Sequence, residues 1–174
     1  MYIMFNKIRT HMKSKKIEKI KDNKDNKDNK DKENTQNKNL TTFNLSKKHL
    51  IVDDSHTNRL VLSKYLERIG IEIDEASDGY KCIAKCRENT NINRYDVIWM
   101  DVRMPYKDGY ETSKQLREMG YVHYIIGLTG HVEKESLNKC ISVGMNRVIA
   151  KPIMRDELYG LLFHLFGIPS NKEI

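Results

Sequence analysis

Two adjacent carboxylates, Asp53 and Asp54, stand directly after the apolar run His49-Leu-Ile-Val52, and a third, Asp101, directly after Val97-Ile-Trp-Met100. A hydroxyl, Thr129, follows Tyr124-Ile-Ile-Gly-Leu128, and an ammonium, Lys151, follows Arg147-Val-Ile-Ala150. If each run is a strand of one parallel sheet, these groups collect at its carboxyl edge. Open α/β sheets bind ligands there, near the point where strand order reverses. With the order 2-1-3-4-5 the first and third strands are neighbours, which brings Asp53, Asp54 and Asp101 together. Three carboxylates in one crevice repel each other and need a compensating charge. A hard cation with oxygen ligands supplies it, and Mg²⁺ (or Mn²⁺) suits carboxylates, a backbone carbonyl, waters and phosphate oxygens of a substrate. Lys151 adds fixed positive charge, and Thr129 offers a donor. An acidic pair alone is a weak signal, whereas acidic, hydroxyl and ammonium groups at four strand ends rarely arise by accident.

The elements that must position these groups are readable from His49 onward. Asn58 to Ile69 carries Val61, Leu62, Tyr65, Leu66 and Ile69 at helical spacing and ends at Gly70. Ile71 to Ala76 alternates like a strand, and Gly79 to Glu88 reads as a helix. Gly109 to Met119 and Glu133 to Val143 read as helices closed by Gly120 and Gly144, and Arg155 to Phe166 as a last helix with Leu158, Leu161, Leu162, Leu165 and Phe166 inward. Five strands alternating with five helices predict an α/β fold, a five-stranded parallel sheet covered on both faces in a doubly wound arrangement.

Charge divides the 174-residue chain sharply. Its net +7 comes from residues 1–48, with 14 Lys/Arg against 6 Asp/Glu, while the remainder has 17 against 18. Residues 21–32 repeat Lys-Asp-Asn three times and end in Lys-Asp-Lys, and no apolar residue lies between Ile20 and Leu40. Such a stretch has nothing to bury against the entropy of ordering, so residues 1–47 are expected to form a disordered basic tail. The pI of about 9.2 therefore belongs to the tail, not the body. A weak amphipathic pattern from Ile3 to Ile20 is compatible with contact to nucleic acid or a membrane surface, but a solvated tail is the preferred reading. Cys82, Cys86 and Cys140 lack metal spacing and read as buried small side chains in a reducing compartment. His49, His56, His123 and His164 show no clustering, and Trp99 reads as core. The longest apolar stretch, Leu158 to Ile168, is too short to cross a membrane. No signal peptide follows Lys7 and Arg9, so an intracellular, cytoplasmic location is expected.

Ile51-Val-Asp-Asp-Ser55, Val97-Ile-Trp-Met-Asp-Val-Arg-Met-Pro105 with Asp108-Gly109, Gly127-Leu-Thr-Gly130 and Ala150-Lys-Pro-Ile153 together resemble the response-regulator receiver family. The resemblance is to receivers of hybrid histidine kinases in particular. It implies a flavodoxin-like (βα)5 receiver at residues 48–168, between the tail and a short C-terminal segment, 169–174. It also implies Asp101 as phosphoacceptor, and a metal site of Asp54, Asp101, the backbone carbonyl of Arg103, and Asp53 acting partly through water. Thr129 resembles the hydroxyl that senses the phosphoryl group, and Lys151 that group's ion-pair partner. A cis peptide before Pro152 is implied as well. A histidine kinase or histidine phosphotransfer protein would be the partner, and the receiver a monomer. Where the family usually has Tyr or Phe three residues before the lysine, this chain has Val148. Arg103 and His131 stand where the family tends to set dephosphorylation rate, although ordinary loop roles suit them better.

Three functions compete. A phosphorelay receiver without an attached output domain is favoured, since few residues follow Phe166. A regulator whose basic tail binds nucleic acid or membrane is the alternative, weakened by the lack of aromatic interleaving in the tail. An aspartate-based phosphatase would need a second carboxylate two residues beyond the nucleophile, where Arg103 stands.

Overall fold

The computed structural model describes residues 48–88 and 91–167. The expected basic tail 1–47, its amphipathic start and residues 169–174 lie outside them. Five strands, β1 (Lys48–Val52), β2 (Glu72–Ala76), β3 (Val97–Asp101), β4 (Tyr124–Thr129) and β5 (Arg147–Ala150), alternate with five helices. The helices are α1 (His56–Glu67), α2 (Gly79–Arg87), α3 (Gly109–Glu118), α4 (Lys134–Ser142) and α5 (Arg155–Phe166). Every strand pair is parallel and the order is β2-β1-β3-β4-β5, as the alternation predicts.

β1, β3 and β4 are apolar almost throughout because both faces of the sheet are covered. Successive side chains point to opposite faces and so enter different layers. Leu50, Val52, Ile98, Met100 and Ile125 pack with Cys82, Ile83 and Cys86 of α2, Tyr110 and Leu116 of α3, and Cys140 of α4. Ile51, Val97, Trp99, Ile126 and Leu128 pack instead with Leu62 and Leu66 of α1 and Leu158 and Leu162 of α5. The three cysteines are free and buried. Trp99 is core as expected, and its indole donates to His49 Nδ1 at 3.2 Å.

Helix starts follow their caps. Ser55, Asp78 and Asp108 each accept a hydrogen bond from the amide three residues on, which satisfies a donor left open in the first turn. α1 differs from its sequence reading in one respect. Val61 is 44% exposed, whereas Ser63 is buried between Leu62 and Leu66. Burial of this hydroxyl is tolerated because it donates to Glu75 Oε1 on β2 at 3.2 Å.

Candidate functional site

The neighbouring positions of β1 and β3 place Asp53 and Asp54 beside Asp101. Ligand oxygens of the three carboxylates lie within 4.8 Å of one another. Asp53 and Asp101 are 1% and 5% exposed, and Asp54 is exposed. Lys151, at the end of β5, reaches across with Nζ 2.7 Å from Asp53 Oδ2 and 2.8 Å from Asp101 Oδ2. The Lys151–Pro152 peptide is cis. α3 begins hard against the same strand end: a Cβ at Gly109 would overlap the Asp101 carbonyl, so only glycine fits there.

The charges are not balanced. Burial is the largest influence on Asp101 and raises its pKa, aided by Asp53; the hydrogen bond and charge of Lys151 offset this only in part. Burial also works against the Lys151 ammonium, but its bonds to Asp101 and Asp53 outweigh that, so its pKa is raised as well. One ammonium shared between two buried carboxylates is thus itself well paired and leaves Asp101 under-compensated. With the exposed carboxylate of Asp54 alongside, the site is a hard-oxygen set with surplus negative charge, the chemistry that suits a small divalent cation.

Asp53, Asp54, Asp101 and Lys151 come together as the sequence suggested. Thr129 is buried at the end of β4, but its hydroxyl is engaged with the main chain of His131, accepting from the amide at 3.1 Å and donating to the carbonyl at 3.2 Å. Arg103 turns its amide on Asp101 Oδ1 at 3.2 Å. Sequence reasoning missed the first turns of α1. Asn58 Nδ2 donates to Asp53 Oδ1 and Oδ2 at 3.1 and 3.2 Å, and Ser55 N to Oδ1 at 2.9 Å. Arg59 Nη1 donates to the carbonyls of Asp53 and Asp54 at 2.8 and 3.4 Å, and its Nε pairs with Glu75 Oε2 at 2.9 Å. The one available signal was an Asn-Arg pair just past the Ser55 cap.

The family described as "Response regulator receiver domain" matches residues 50–163. The chain belongs to that family. The receiver is 38% identical over 116 residues to hybrid signal transduction histidine kinase L of Dictyostelium discoideum, an alignment covering 64% of this chain and 7% of that protein. It is 35% identical over 131 residues to the osmosensing histidine protein kinase SLN1 of Saccharomyces cerevisiae, covering 74% and 11% respectively. The chain therefore spans only a small part of these relatives. Among solved structures, the receiver domain of sensor histidine kinase PA1611 from Pseudomonas aeruginosa, with a magnesium ion coordinated in its active site cleft, is 30% identical. Its TM-score is 0.62, over 70% of this chain and 98% of that one. Chemotaxis protein CheY4 of Vibrio cholerae is 32% identical, with a TM-score of 0.64 over 69% and 98%. The receiver is accordingly a phosphoacceptor domain of the two-component phosphorelay type, and its acidic pocket is typical of such domains. No helix among the described residues is long and apolar enough to cross a membrane.

Proposed function

We propose that this receiver takes a phosphoryl group from a phosphohistidine onto a carboxylate oxygen of Asp101. The observation that supports it most is the buried Asp101 in a three-carboxylate pocket, bridged to Asp53 by Lys151. Asp54, Asp101 and the carbonyl of Arg103 would hold Mg²⁺ (or Mn²⁺), with Asp53 acting partly through water. When bound, the cation neutralises charge spread over the transferred phosphoryl oxygens. An Asp101 oxygen forms the new bond to phosphorus as the bond to one imidazole nitrogen of the donor breaks; the ring's other nitrogen already carries a proton, so the electron pair of the broken bond stays on a neutral imidazole. Lys151, held protonated by the two carboxylates beside it, shifts from Asp101 toward a phosphoryl oxygen. Thr129 releases the His131 carbonyl and donates to another. Aspartyl phosphate is covalent-carboxylate chemistry, and apart from onward transfer its fate would be slow hydrolysis.

We infer a receiver unit at 48–168 that follows a basic tail and acts as a monomer. Its partner is a histidine kinase or a histidine phosphotransfer protein, as the histidine-kinase relatives suggest. Free, buried thiols suit the reducing cytoplasm. The test is incubation with acetyl phosphate and Mg²⁺, read by intact mass. One phosphate is expected, absent after chelation and absent in Asp101→Asn; a metal-dependent phosphate persisting in that variant would sink the assignment.

A further inference from the structure

We propose that Asn58 and Arg59 form a clamp that sets the geometry of the cation site, a positioning role that rests on the cation reading above. Two separate attachments make it. The Asn58 amide lies across both oxygens of Asp53, whose only other donors among the described hydrogen bonds are Ser55 N and Lys151 Nζ. Without it the Asp53 carboxylate keeps one donor on each oxygen, Ser55 N and Lys151 Nζ, and loses the group that spans both. The Arg59 guanidinium grips the consecutive carbonyls of Asp53 and Asp54, the turn that aims the exposed Asp54 carboxylate. Arg59 is itself anchored, because Glu75 accepts from its Nε with one oxygen and from the Ser63 hydroxyl with the other.

The chemical types matter. A neutral amide orients Asp53 without cancelling negative charge that a cation needs, which a second lysine would do. A guanidinium supplies the forked donors that bridge a carboxylate and two carbonyls, a geometry an ammonium does not reproduce. The arrangement parallels the outer-shell partners that orient ligands in metal sites generally.

Calorimetric titration of Mg²⁺ into the full chain, paired with thermal melts in chelator, tests the clamp. Asn58→Ala and Asn58→Leu are expected to weaken Mg²⁺ binding roughly tenfold or more, the usual cost of losing an outer-shell partner. Arg59→Lys should weaken it in the same direction. Tyr95→Phe, which loses a hydrogen bond at the opposite end of the sheet, serves as a control for general destabilisation and should bind Mg²⁺ like wild type. Affinity in both Asn58 variants within twofold of wild type would overturn the clamp, as would an equal loss in Tyr95→Phe. A wild-type chain that takes up no Mg²⁺ would instead overturn the cation reading, and the clamp with it.

Discussion

Asp53 and Asp54 are neighbours in sequence and opposites in environment. Asp53 is nearly sealed from solvent with Ser55, Asn58 and Lys151 on its oxygens, whereas the Asp54 carboxylate is exposed. Their alanine variants should therefore separate stability from binding. Asp54→Ala is expected to abolish tight Mg²⁺ binding and leave the stability of the metal-free protein within about 0.5 kcal/mol of wild type, as for other exposed positions. Asp53→Ala removes one of two counter-charges from the partly buried Lys151 and takes the acceptor from Ser55 N, a loss on the order of 2 kcal/mol. Denaturant unfolding in chelator checks both; equal destabilisation by the two would contradict the assigned environments. The pair was legible in sequence as two acids after an apolar run. Which of them is buried was not, because that depends on how the turn into α1 folds back on the sheet. Asn58 and Arg59 were illegible for the same reason: read alone, they are ordinary polar residues near a helix start.

Polar groups away from the site do structural work as well. On the edge strand β2, Asp74 accepts from the Tyr95 hydroxyl at 2.6 Å, and Lys48 of β1 lies 3.2 Å from it. Burial alone would raise the Asp74 pKa, but the Tyr95 hydroxyl and Lys48 outweigh it and hold the carboxyl below its ordinary value of 3.8. The unfolded chain therefore binds this proton more readily than the folded one. The resulting stabilisation is present above the ordinary aspartate value and is lost as pH falls through the depressed folded value. Tyr95→Phe should flatten this acid-side loss as well as lower stability near neutrality, measured by denaturant midpoints between about pH 3 and pH 7. An unchanged acid slope would show that the pair does not couple to folding. At this scale the sequence served well, since strands buried on both faces and capped helices announce themselves. It failed where burial is polar. Ser63 turns inward in place of Val61, and Arg117 looks like a surface charge at a helix end, yet it bonds the carbonyls of Tyr121, His123 and Gly144 and the side chain of Asn146.

For the molecule as a whole, the question is how far phosphorylation at Asp101 would be felt. The family position that usually carries an aromatic ring is Val148 on β5, opposite Gly127 of β4 in the register. Val148 is partly buried and packs against the core layer that includes Cys140 and Met145. A β-branched side chain is restricted at χ1 and has too little length to exchange an exposed position for a buried one. Thr129 still has a local move available, since its hydroxyl need only leave the His131 carbonyl. The expected response to beryllium fluoride with Mg²⁺ is therefore a tightening around the pocket, with little change on the surface of α4, β5 and α5. A phosphoryl group would then serve mainly as a covalent mark to be passed on. Hydrogen exchange decides this. Protection confined to the loops after Asp54, Asp101 and Thr129 agrees with a local response, whereas strong changes across Lys134–Ser142 and Arg155–Phe166, or phosphorylation-induced dimerisation, would show that the surface is coupled to the site by a route that needs no ring.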